Sequence, residues 1–223
     1  MRWFECLRWY AGASVLRCSH LNRALYITGK LCEEKTERWL QSLKSLTSKL
    51  TVEANDRNRL ALGLMYASNE HSCSIYELCG KNLPFSGFAL LRPQLEAHIR
   101  GLWIAHCASQ DEINAIYGGK EFPSKNVMLT AITTLDEFSD GVFREKVNQM
   151  WKTLCDFTHG GGVQGAWHIG RHEIRSYFEP RQIDTLYGLT CKISYLNSAA
   201  MAKVCNSESI SKKLTNSYKR IHK

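Results

Sequence analysis

Proline is scarce in this chain, with four residues in 223, and apolar–polar alternation between hairpin turns is hard to find. The first shortage leaves room for long helices, and the second leaves little material for a sheet. No uncharged stretch reaches about 18 residues, so no segment is expected to span a bilayer. The nine cysteines include no C-x-x-C pair and no zinc-finger spacing, and their odd number argues against a disulfide scaffold. With Cys79, Cys107 and Cys191 inside apolar stretches, they read as free thiols of a reducing cytoplasm. An acid, Glu5, precedes any apolar run, so no secretory leader is expected. The Walker A loop, the dinucleotide G-x-G-x-x-G turn and the G-x-S-x-G elbow are all missing. Their absence removes the main support for kinase-like, Rossmann and α/β-hydrolase activities.

What remains is an ordinary globular composition, 44% hydrophobic and 22% charged, with a formal net charge of +8. That charge is uneven: residues 1–30 carry +4 and residues 203–223 carry +5, so the stretch between is close to neutral. Basic ends attract polyanions without sequence preference, or simply serve as solvated tails.

Apolar residues recur at helical spacing nearly throughout, and the chain reads as an all-α bundle of about six to eight helices. The organisation expected is a basic N-terminal extension over 1–30, one helical domain over 31–205 and a frayed basic tail over 206–223. A first helix is expected over 33–51, with Trp39, Leu43, Leu46 and Leu50 on its stripe. A second, over 56–80, uses Leu60, Leu64, Ala67, Ile75, Leu78 and Cys79, with Gly80 as its cap. The strongest runs over 85–109, where Phe88, Leu91, Leu95, Ile99, Leu102 and His106 share a face about 80° wide; it is the expected central helix. Gly118-Gly119 and Asp140-Gly141 mark breaks, Ser124 caps a helix to about 138, and further helices run over 142–159 and, from Pro180, to 205. Residues 163–178 stay ambiguous.

Three clusters carry chemistry. On the central helix Arg92, Glu96 and Arg100 fall at i, i+4 and i+8 on the border of the buried stripe, close to Trp103. Pro93 removes the amide that would bond the carbonyl of Ala89. Exposed backbone beside two guanidiniums suits a phosphate or carboxylate; a ladder that locks two helices together explains the same residues. Asp156 and His159, at i and i+3 before Gly160-Gly161-Gly162, suit a general base with a fixed tautomer, or a plain helix cap. Gln164, Trp167, His168, Arg171, His172, Arg175, Tyr177 and Arg181 then form a basic and aromatic cluster that suits nucleotide stacking, or an ordinary wet surface. Asp156, His159, His168 and His172 match no zinc signature, so no metal and no cofactor is expected.

Two motifs, Leu90-Leu91-Arg92-Pro93 with Glu96-Ala97 and Arg100-Gly101-Leu102-Trp103, then Asp156-Phe157-Thr158-His159-Gly160-Gly161, resemble those of an uncharacterised family of bacterial helical proteins over residues 57–205. More distantly, that family resembles the HEPN superfamily of helical bundles. The resemblance implies a homodimeric, metal-independent RNase of the kind found in toxin–antitoxin and phage-defence systems. HEPN nucleases pair an arginine with a histidine four to six positions later, which points to Arg92 with His98 or Arg100 with His106. A separation of six turns the two side chains 120° apart on a helix, so Arg92 and Arg100 as phosphate clamps with His159 as acid or base is the better assignment. The RNase reading therefore takes His159, Arg92, Arg100, Glu96 and Asp156 as catalytic and Gln164, His168, Arg171, His172 and Arg175 as binding residues. The alternatives are a non-catalytic module for a nucleotide or other anion, and an interaction protein of antitoxin type.

Overall fold

The computed structural model describes residues 17–18, 30–169, 173–174 and 178–223. Among them are nine α-helices: α1 (Lys30–Thr47), α2 (Asp56–Gly80), α3 (Pro84–His106), α4 (Gln110–Tyr117), α5 (Lys125–Ile132), α6 (Val142–Thr158), α7 (Gly162–Ala166), α8 (Pro180–Val204) and α9 (Glu208–His222). The architecture is all-α. A two-residue parallel pairing, Arg17–Cys18 with Glu173–Ile174, and an isolated bridge at Ile169 depart from it among the described residues. Most of the N-terminal extension, and the expected cluster residues Arg171, His172, Arg175 and Tyr177, lie outside them.

The central place of α3 follows from its stripe: Phe88, Leu91, Leu95, Ile99 and Leu102 are all buried, and α2, α5, α6 and α8 pack around it. Each such side chain contributes about 1.5–3 kcal/mol when fully buried. On the far side of α8, a second cluster joins Trp39, Leu40 and Leu43 of α1 to Ile210, Leu214 and Ile221 of α9. Local signals set the helix ends. Ser124 accepts from the amide of Val127, Ser109 and Glu112 form a reciprocal capping box, and Pro180 opens α8. Arg57, in the first turn of α2, donates to the carbonyls of Ile104 and Ala108 at 2.7 Å each and so caps the end of α3.

Several expectations are corrected. The buried line of α2 is Ala61, Met65, Ser68, Asn69, Ser72 and Ile75, so Leu60, Leu64 and Ala67 lie on its flanks. The two helices approach closely at Gly101 of α3, where a Cβ would sit 2.7 Å from Met65 Cγ and 3.2 Å from the Ala61 carbonyl, so the Ala61–Met65 edge of α2 is the one buried there. Gly80 is the last helical residue of α2, and Asn82 takes the left-handed position at φ 63°. The helix from Ser124 stops at Ile132 and is followed by a 3₁₀ turn over Asp136–Phe138. His106 is exposed and Leu196 is 40% exposed because both line an open groove between α3, the 3₁₀ turn and α8. The basic tail is not frayed. Ile210, Leu214, Ser217 and Ile221 recur at helical spacing and bury α9 against α1 and α8. Together with α7, it raises the count to nine.

Candidate functional site

The site lies where α3 meets α6, and the two sequence motifs make it jointly. Pro93 leaves the Ala89 carbonyl without its helical amide, and the Thr158 hydroxyl lies 3.2 Å from that carbonyl and 2.9 Å from the Leu154 carbonyl. Its proton is shared between the two. One residue on, His159 ends α6, and Gly160 adopts φ 72°, a left-handed conformation that favours glycine. The Gly161 amide bonds the Asp156 carbonyl at 2.9 Å, and a Cβ on Gly161 would lie 2.9 Å from Asp156 Cα. Two of the three glycines are thus explained by the turn itself. Asp156 abuts that turn, with Oδ1 2.5 Å from the position of a Gly161 Cβ, and it does not pair with His159.

His159 instead meets Arg92. A guanidinium nitrogen of Arg92 donates to His159 Nε2, which assigns the lone pair to Nε2 and the ring proton to Nδ1. Glu96 joins the two arginines, with Oε2 3.6 Å from Arg92 Nε and Oε1 3.4 Å from Arg100 Nη2. Both contacts are loose, and the Nε atoms of Arg92 and Arg100 are buried without a hydrogen-bond partner. Aromatic rings hold the cations: Arg92 Cζ lies 5.3 Å from the centroid of Trp151, Lys125 Nζ 5.0 Å from the same ring, and Arg100 Cζ 4.9 Å from Phe122. Burial lowers the Lys125 ammonium pKa, opposed by nearby Cys155 and assisted by Arg144. The result is a partly exposed surface with three cations, one carboxylate, two rings and an imidazole.

The structure therefore brings Arg92, Glu96, Arg100 and His159 together. His168 does not join them: its Nδ1 donates to the Gln164 carbonyl at 2.8 Å, and its ring packs 4.5 Å from Phe85 in an aromatic cluster with Phe88, Phe157, Trp167 and Phe178, while Gln164 Oε1 lies at the glycine turn, 3.3 Å from the position of a Gly160 Cβ. Nor does either arginine meet the histidine six residues later. His98 is buried, with Nδ1 donating to Asn197 Oδ1 at 3.1 Å, and burial pushes its pKa down to about 4. His106 lines a groove of about 480 Å³ with Glu137 and Lys203. Lys125 and Phe122 were not legible as site residues, because only the packing of α5 and the residues before it against α3 brings Phe122 to Arg100 and Lys125 to Trp151. Among the described residues, no group of three His, Cys, Asp or Glu side chains is placed to hold a metal.

No helix among the described residues is long and apolar enough to cross a membrane. No curated protein and no solved structure matches the chain. One family does match, over residues 65–223, and it reaches through α9 to the C-terminus rather than ending at 205. The chain belongs to DUF6988, a family of unknown function.

Proposed function

We propose that this protein is a metal-independent endoribonuclease of HEPN-like design, acting as a toxin or phage-defence effector. The observation that carries the reading is the contact between Arg92 and His159, which sets a phosphate-binding side chain beside an imidazole whose Nε2 lone pair serves as the base once Arg92 turns from it to the phosphate. In the reaction, His159 takes the proton of a ribose 2′-hydroxyl and the 2′-oxygen attacks the adjacent phosphorus. The bond to the 5′-oxygen breaks, that oxygen takes a proton from water, and a cyclic phosphate remains. Arg92 and Arg100 hold the charge that grows on the phosphoryl oxygens. Glu96 and Asp156 are positioning residues, the first spacing the guanidiniums and the second bracing the glycine turn. The HEPN resemblance adds a homodimer and a cytoplasmic location to the proposal.

Inducible expression in a bacterial host tests it. The parent is expected to arrest growth and fragment total RNA, while His159→Ala and Arg92→Ala leave growth and RNA intact. Fragmentation that persists in His159→Ala overturns the assignment. A second reading, a non-catalytic module for a nucleotide, is favoured by the arginines lying over Trp151 and Phe122, where a base and a phosphate could be held together. It expects intact RNA with the parent and a nucleotide affinity that falls about tenfold or more in Arg92→Ala.

A further inference from the structure

Helix α9 sorts its residues by chemistry around its axis. Ile210, Leu214, Ser217 and Ile221 are buried, whereas Lys212, Lys213, Asn216, Lys219, Arg220 and Lys223 are exposed. At 100° per residue those six fall within an arc of about 120°, opposite the buried line, and Lys212 to Lys223 spans about 16 Å. Lys212 pairs with Glu208 at 2.8 Å, and no ion pair among the described residues engages Lys213, Lys219, Arg220 or Lys223. Solvated helix surfaces ordinarily mix signs, as α1 does with Glu33, Glu34, Lys35, Glu37 and Arg38. On α9 like charges stand as neighbours, at 212 and 213, 219 and 220, and 219 and 223. Beside them runs a groove of about 380 Å³ between α1 and α9, where Lys213 and Arg220 flank Ser42, Ser45 and Asn216.

We propose that this face of α9, with the α1–α9 groove, binds the phosphate backbone of a nucleic acid without reading its sequence. Charge complementarity is the first argument: about 16 Å of duplex axis presents close to ten phosphate charges to the cations. Donor chemistry is the second, since lysine, arginine, asparagine and serine side chains are those that contact phosphate and sugar. The face has no ring for base stacking, because Tyr218 is turned inward, stacked 4.4 Å from Tyr195 and edge-on to Trp39. That favours backbone contact over base readout. A bilayer is the poorer occupant: the apolar face an interfacial helix would insert is already used against α1 and α8.

The experiment uses the full chain, a fluorescent RNA duplex of about 20 base pairs and arbitrary sequence, and a salt titration. The triple variant Lys213→Gln, Lys219→Gln, Arg220→Gln should bind at least about tenfold more weakly near 0.1 M salt, with the slope of log affinity against log salt shallower by about 2 to 3. The Lys213→Arg, Lys219→Arg pair should bind like the parent, and in an Arg92→Ala background the three Gln substitutions should still lower the slope by about 2 to 3, which separates this face from the site at α3. The melting curve of the triple variant should match the parent, because the three side chains are exposed. An unchanged affinity and slope in the triple variant overturns the proposal. So does a parent that ignores the duplex and binds vesicles of phosphatidylserine and phosphatidylcholine.

Discussion

Two flanks of α3 carry polar side chains and treat them in opposite ways. Toward α2 and α8, Gln94 donates to Ser72 Oγ at 2.9 Å and to the Thr190 carbonyl at 3.1 Å, and accepts from the Thr190 hydroxyl at 2.9 Å. Asn197 donates to the Met65 carbonyl at 2.6 Å and to Asn69 Oδ1 at 2.9 Å, and accepts from His98. This layer is shut off from solvent, and His98 Nε2 is its unpartnered atom among these side chains. On the other flank, Arg92, Glu96 and Arg100 keep 18%, 24% and 36% of their side chains exposed and leave two guanidinium Nε atoms unsatisfied. The contrast separates polar groups used for packing from polar groups with bonding capacity to spare. A closed network specifies one helix register, while an open one can take a ligand.

The largest test of this contrast strikes the closed flank. Asn197→Ala strands His98, Asn69 and the Met65 carbonyl in the core and should cost about 3 kcal/mol. In a chain of this length that lowers the melting temperature by about 6–12 °C, readable by circular dichroism. A shift under about 2 °C would show that the layer adapts and is not a register device.

Next comes pH. The folded pKa of His98, about 4, lies below the ordinary imidazole value of 6.5, so the unfolded chain binds the proton more readily. Its contribution is fully present above pH 6.5 and is lost as pH falls toward 4, on the order of 3 kcal/mol in all. Burial lowers His71, His106 and His222 in the same direction. Denaturant unfolding between pH 7 and 5 should therefore show falling stability, with a shallower fall in His98→Gln, which keeps a donor for Asn197 and removes one titration. An identical slope in the two proteins would contradict the buried neutral imidazole.

The smallest effect is expected on the open flank. Glu96→Ala removes the carboxylate shared by the two arginines, yet water reaches both guanidiniums, so about 1 kcal/mol or less should be lost. A loss approaching that of Asn197→Ala would make the arginine ladder a packing device and erase the distinction.

Much of this was legible because it is local. The bounds of α2 follow from a period of 3.6 and from Asp56 after Asn55, α8 opens at Pro180, and the turn at Gly160 ends α6. The grouping of Arg92 with His159 was readable from the two motifs. That the contact is direct, and that Thr158 answers the carbonyl freed by Pro93, depends on α6 lying across α3 at that height. The tail was misread because its cations outnumber its apolar residues, although Ile210, Leu214 and Ile221 were already spaced for one face.

The sequence by itself determined the helical class, most helix ends and the angular position of each side chain on its own helix, since these depend on neighbours within a turn or two. Only the tertiary structure decided which of those angles faces a partner. Gln94 and His98 lie on one flank of the apolar stripe of α3 and Arg92 and Arg100 on the other, and the approach of α2 and α8 sealed the first pair. On the other side Trp151 of α6 and Phe122 flank the second pair and leave it partly open to solvent. The same holds for α9, where docking on α1 and α8 turned a string of lysines and an arginine into one ordered face.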